Sequence, residues 1–115
     1  MMFATLHLTL LADGDRPANL SIGESREALL RLGRPITIGG TPAADIHIVA
    51  PSVGRRVVEV VLQSDDVWVL DLGSGGGSRL DSEGQITDRP RCRLPSDSTL
   101  WIGRVAFRVE IRTPS

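Results

Sequence analysis

The chain has 115 residues, 41% of them hydrophobic and 23% charged, with a formal net charge of -1. That balance suits one domain with its own core, and it excludes a disordered chain and a polyanion-binding one, so no nucleic-acid partner is expected. A single cysteine, Cys92, excludes an internal disulfide framework and any cysteine-rich zinc site.

The predicted elements are short strands. Phe3 to Leu11 alternates Ala4, Leu6, Leu8 and Leu10 with Thr5, His7 and Thr9, the period of a half-buried strand. His7 falls on its polar side and reads as a solvated residue. Asp13-Gly14-Asp15 and Pro17 signal a turn. Ser25 to Leu32 admits a helical turn, but it is brief and ends at Gly33, which favours a short strand with a loop. Arg34 to Ile38 leads into Gly39-Gly40, and Asp45 to Val49 turns Ile46 and Ile48 inward with His47 outward. Val57 to Leu62 is β-branched apart from Glu59. Val67 to Leu72 is apolar on both faces, which predicts a central strand with Trp68 in the core. Asp71 to Gly77 is a glycine loop, Arg91 to Leu94 a short polar strand, and Leu100 to Ile102 a strand closed by Gly103. Val105, Phe107, Val109 and Ile111 then alternate with Ala106, Arg108, Glu110 and Arg112, the cleanest strand pattern in the chain. Many short strands punctuated by glycine and proline predict an all-β sandwich or barrel with its binding residues in end loops. Thr113 to Ser115 reads as a tail or the start of a linker, leaving residues 1–112 as the domain.

All 13 basic residues are arginine, the codon usage of a GC-rich, bacterial genome. No basic segment opens an apolar stretch at the N-terminus and no apolar run approaches the roughly 20 residues that span a bilayer, so membrane insertion is not expected and the cytoplasm is the expected address.

Groupings that carry catalysis are scarce. No glycine-flanked serine with a histidine partner forms a hydrolase elbow. Gly75-Gly76-Gly77-Ser78 lacks the lysine and the following helix of a nucleotide loop. Asp65-Asp66 reads as a polar turn. Cys92, between Arg91 and Arg93, is either a low-pKa thiol or a half-buried structural residue, and the second reading is the simpler. No catalytic residue, metal or cofactor is expected.

One constellation is specific. Ile38-Gly39-Gly40, Asp45-Ile46-His47-Ile48, Pro51 to Val57, Asp71 to Ser78, Leu100-Trp101-Ile102-Gly103 and Phe107-Arg108-Val109 follow in that order. The order and spacing resemble the forkhead-associated (FHA) domain over about residues 34 to 111. The resemblance implies a sandwich of two mainly antiparallel sheets with about eleven strands. It also implies loops at one end that read phosphothreonine in a partner peptide. In that family an arginine and a serine hold the phosphate, an asparagine holds the peptide backbone and a histidine braces the loop.

This sequence departs at each of those places, which fall on Gly40, Gly54, Gly76 and Val57 respectively. Gly39, Arg55, Asp71, Leu72, Ser74, Gly77 and Gly103 keep the family pattern, and Ser78 stands where threonine is frequent. By family position the peptide- or phosphate-binding set is therefore Gly40, Thr41, Gly54, Arg55, Ser74, Gly76, Gly77 and Ser78. A hydrogen bond to a charged group contributes about 1.5–3 kcal/mol, so losing the arginine and serine contacts costs on the order of 3–6 kcal/mol. From an affinity of about 1 μM, roughly -8 kcal/mol, that leaves sub-millimolar binding or weaker.

The expected function is a non-catalytic module that docks a protein or peptide, or a second copy of itself, without needing phosphothreonine. The alternative is a phosphothreonine reader in a rearranged pocket. Arg55 is then the best anion ligand, and Arg34, Arg56 and Arg79 are further candidates near the loop end. The glycines of 39–40 and 73–77 permit positive φ, and amides of the second group offer an anion nest. Trp101, between the inward Leu100 and Ile102, points outward and is a candidate protein interface, unless the 13–33 segment packs over it.

Overall fold

The computed structural model describes residues 1–73, 77–82, 84–87 and 89–114. Two sheets face each other. The six-stranded sheet runs β2-β1-β11-β10-β7-β8, and the five-stranded sheet runs β4-β3-β5-β6-β9. Their strands are β1 (Phe3–Leu10), β2 (Ser25–Arg31), β3 (Ile36–Gly39), β4 (Ile46–His47), β5 (Val58–Gln63), β6 (Asp66–Asp71), β7 (Ser78–Ser82), β8 (Gln85–Thr87), β9 (Arg91–Arg93), β10 (Thr99–Ile102) and β11 (Val105–Arg112). Every pairing is antiparallel except β3 with β4. The fold is all-β, as expected, and the helical reading of Ser25 to Leu32 falls to β2.

Alternation decides which side chains are inside. Ala4, Leu6, Leu8 and Leu10 of β1 are buried while Thr5, His7 and Thr9 are not. β11 buries Val105, Phe107 and Val109 on the same side, and Leu10 and Leu100 both stand across from Phe107. From the other sheet Ile36, Ile38, Val58, Val60, Leu62, Val67 and Val69 close the core. Burial of this apolar surface drives the sheets together.

Four elements differ from expectation. β6 lies between β5 and β9, yet only Val67 and Val69 are buried; Trp68 is half-buried on the outer face, with the Arg91 guanidinium 4.7 Å from its ring centroid. Trp68 is thus not a core residue: the period of two sends it away from Val67 and Val69. β4 is only two residues long, although Ile46 and Ile48 are inward as expected. β7 and β8 had no forecast, and Leu80 is the buried residue of β7.

Candidate functional site

The registers set which loops meet. β3 runs against β5 with Ile38 across from Val58, and β5 against β6 with Val58 across from Asp71. β10 runs against β7 with Ile102 across from Ser78. The β3–β4, β4–β5 and β6–β7 connections and the β10–β11 turn therefore gather at one end.

Main-chain hydrogen bonds join these loops. Gly40 N–H donates to the Gly54 carbonyl at 2.7 Å, and Thr41 N–H to the Arg55 carbonyl at 3.3 Å. The Arg55 carbonyl lies where a Cβ on Gly39 would be, so glycine there is a requirement of close approach. A Cβ on Gly40 would stand 3.0 Å from the carbonyls of Val53 and Gly54. Neither residue has positive φ, unlike Gly73 (φ 75) and Gly77 (φ 65). Thr41 shapes its own turn: Oγ1 accepts from Ala43 N–H at 3.3 Å and its carbonyl from Ala44 N–H at 3.0 Å.

Gly77 and Ser78 are fixed from two sides. The Gly77 carbonyl accepts from Gly103 N–H at 2.9 Å, and Ser78 Oγ donates to Asp71 Oδ2 at 2.8 Å. Asp71 Oδ1 accepts from Gly73 N–H at 2.7 Å, so one carboxylate holds both stems of the glycine loop. The expectations placed on Ser74 and Gly76 fall outside the described residues. Ser52 Oγ accepts from Arg104 N–H at 3.0 Å, which ties the β4–β5 loop to the β10–β11 turn.

The candidate arginines separate. Arg55 is exposed and, among the described residues, its guanidinium has no partner. Arg56 pairs with Glu59 at 3.8 Å. The Arg79 guanidinium lies over the Trp101 ring, 4.6 Å from its centroid. Arg34 is not at this end: its N–H donates to the Arg31 carbonyl while Gly33 N–H donates to Leu62, and Leu62 is at the far end of β5 from Val58. Antiparallel pairing of β3 with β5 forces that placement. Trp101 is half-buried, and Gly14 lies so close that an added Cβ would meet the indole, so the β1–β2 connection does pack on it.

Three residues of this end were not foreseen. His47 Nε2 is 3.2 Å from the Gly40 carbonyl, which only accepts, so that contact needs the Nε2–H tautomer. A histidine thus holds the β3–β4 loop from β4, while Val57 is fully buried. Asn19 Nδ2 donates to the His47 carbonyl at 2.7 Å, and its Oδ1 accepts from Val49 N–H at 2.9 Å. Arg16 is exposed beside an open cleft of about 440 Å³ whose walls include Gly40, Ile48, Val49 and Val53.

Cys92 is half-buried in β9, and burial pushes its thiol above the ordinary range, against a smaller opposing pull from Arg89. Among the described residues no group of three or more His, Cys, Asp or Glu side chains could hold a metal ion. No helix is long and apolar enough to cross a membrane.

No protein-family model matches the chain, and no curated protein matches it. Solved structures do. The solution structure of an FHA domain from Arabidopsis thaliana has a TM-score of 0.72 at 18% identity, covering 96% of this chain and 88% of that one. The FHA domain of the CT664 protein from Chlamydia trachomatis has a TM-score of 0.67 at 22% identity, covering 92% and 96%. Mycobacterium tuberculosis EmbR, in complex with a low-affinity phosphopeptide, has a TM-score of 0.68 at 20% identity; 96% of this chain is covered and 25% of EmbR. Two facing sheets, their strand order and these likenesses agree: the chain has the forkhead-associated fold.

Proposed function

We propose that the chain is a non-catalytic protein-interaction module whose loop end docks a partner without requiring phosphothreonine. One observation carries the reading. Where the resemblance puts arginine and serine, the Gly40 amide rests on the Gly54 carbonyl at 2.7 Å. Neither residue has a side chain to offer a phosphate, and together the missing contacts are worth on the order of 3–6 kcal/mol. The fold's neighbours support the broader class, since EmbR holds a phosphopeptide.

A second reading has its own observation. Arg55 follows Gly54 directly and its guanidinium is exposed and, among the described residues, has no partner, so it is available for bidentate phosphate binding. Titration of matched phosphothreonine and threonine peptide pools, read by fluorescence anisotropy, separates the two. Equal or absent binding supports the proposal. A strong preference for the phosphorylated pool that disappears in Arg55→Ala establishes the second reading instead.

A further inference from the structure

The cleft beside Gly40 is built by segments tied to one another through the main chain. Ala18 N–H donates to the Val49 carbonyl at 2.7 Å. Asn19 holds the Val49 amide and the His47 carbonyl, so residues 18–19 are strapped along the exit of β4. Pro17 is buried, which fixes where its exposed neighbour Arg16 leaves the surface. On the other wall Val53 N–H donates to the Ala50 carbonyl at 3.0 Å and closes a turn with Pro51 at its second position, the place proline suits. A ligand therefore meets a cleft that needs little ordering on binding.

The lining is chemically simple. Apart from Arg16, every residue around this space of about 440 Å³ is glycine or carries an apolar side chain. Val49 is 40% exposed, and Ala18 and Pro51 are exposed too, so an aliphatic wall is open to solvent. Apolar walls with a single orienting polar group are the usual form of a ligand site of this size. Arg16 has no partner among the described residues, and the carboxylate beside it in sequence, Asp15, is held by Arg104 at 3.2 Å. A lone cation at the rim of an aliphatic wall calls for an anion joined to an aliphatic group.

We propose that the cleft takes an unphosphorylated acidic segment of the partner protein, with an aliphatic side chain on the wall and a neighbouring Asp or Glu carboxylate on Arg16. This rests on the reading that the loop end docks a protein without phosphothreonine, and it names the chemistry that protein presents. One guanidinium matches the single charge and two oxygens of a carboxylate in a bidentate pair. A phosphate carries about -1.5 to -2. The remaining lining has no charged or polar side chain to offset the excess, which would stand uncompensated against apolar surface.

Labelled peptide pools randomised around a fixed Glu-Leu-Glu centre, titrated by fluorescence anisotropy, test this. Changing both glutamates to glutamine, or the leucine to serine, is expected to weaken binding by about tenfold or more. Val49→Ser in the protein is expected to weaken it in the same direction. Arg16→Glu is expected to lose the Glu-Leu-Glu pool and to gain a Lys-Leu-Lys pool that the wild-type chain ignores, an exchange that no folding defect produces. A Glu-Leu-Glu pool bound equally by wild type, Arg16→Glu and Val49→Ser overturns this inference alone. So does a wild-type chain that prefers Glu-Leu-Glu no more than Gln-Leu-Gln at millimolar peptide. Binding confined to a phosphothreonine pool overturns it together with the reading beneath it.

Discussion

At Gly40, where the resemblance puts an arginine, the backbone leaves no room for a side chain without rearrangement. The β4–β5 loop has closed on the glycine, leaving 3.0 Å between an added Cβ and the carbonyls of Val53 and Gly54. Gly40→Arg is therefore expected to cost about 1–3 kcal/mol of stability, the usual range for overpacking, and not to restore phosphopeptide binding. Urea denaturation checks the first half and a peptide titration the second. Arg55→Ala is the contrasting case: an exposed residue without a partner among the described residues should change stability by less than about 0.5 kcal/mol, so any loss of binding reports on binding alone. At this scale the sequence shows only where its residues depart from the pattern it resembles. It was silent where a side chain acts across the fold. Nothing in the spacing of His47 or Asn19 announces that one meets the Gly40 carbonyl and the other pins the exit of β4. Cys92 sits beside two arginines in sequence, but the half-buried structural reading preferred for it agrees with the fold, where burial dominates and the thiolate is disfavoured. With the thiol pKa raised, alkylation by iodoacetamide at neutral pH should run slower than for a free cysteine, and approach that rate only at pH above the ordinary thiol range.

Among the elements, legibility followed alternation. β1 and β11 carry long runs in which every second residue is apolar, so their faces were assigned correctly. β7 reads Ser-Arg-Leu-Asp-Ser and presents only Leu80 to the core, too little signal to distinguish a strand from a loop. β6 misled in the opposite way. Its outer-face residues Trp68 and Leu70 are apolar, which is the pattern of a strand covered on both sides, yet Trp68 is screened from water by Arg91 from the neighbouring strand. Arg79 does the same for Trp101 on the other sheet. These arginines are placed by cross-strand register and not by sequence proximity. The β6–β7 connection depends on a different device, the Asp71 carboxylate shared between Gly73 and Ser78. Asp71→Ala removes both acceptors and is expected to destabilise the chain by on the order of 1–3 kcal/mol. Asp71→Asn retains one carbonyl acceptor and should fall between the two. Urea midpoints order the three proteins, and equal midpoints would mean that the clamp is incidental.

Taken as a whole, the molecule closes by pairing its first long strand with its last. β1 bonds β11 from Thr5↔Arg112 to Leu10↔Phe107, and the β10–β11 turn then delivers Gly103 and Arg104 to the loop end. There Arg104 binds Ser52 through its amide and Asp15 through its guanidinium at 3.2 Å. The candidate binding loops thus rest on the most non-local pairing in the fold, the kind that forms late and slowly. Phe107 is the largest fully buried side chain at this closure, with Leu10 on one side and Leu100 on the other. Phe107→Ala leaves a cavity that neighbouring strands, fixed by their ladders, cannot fill, and it is expected to cost about 3–5 kcal/mol. A domain of this size has only about 5–15 kcal/mol of stability in total, so the variant should lie close to its unfolding transition at moderate temperature. Arg108→Ala, one residue on and exposed without a partner among the described residues, should change stability by less than about 0.5 kcal/mol. If closure supports the loop end, amide exchange in Phe107→Ala should accelerate at Gly40 and Gly103 as well as in β11, since Gly103 N–H is held by Gly77 and Gly40 N–H by Gly54. Acceleration confined to β11 would mean that the loop end is held by the five-stranded sheet alone.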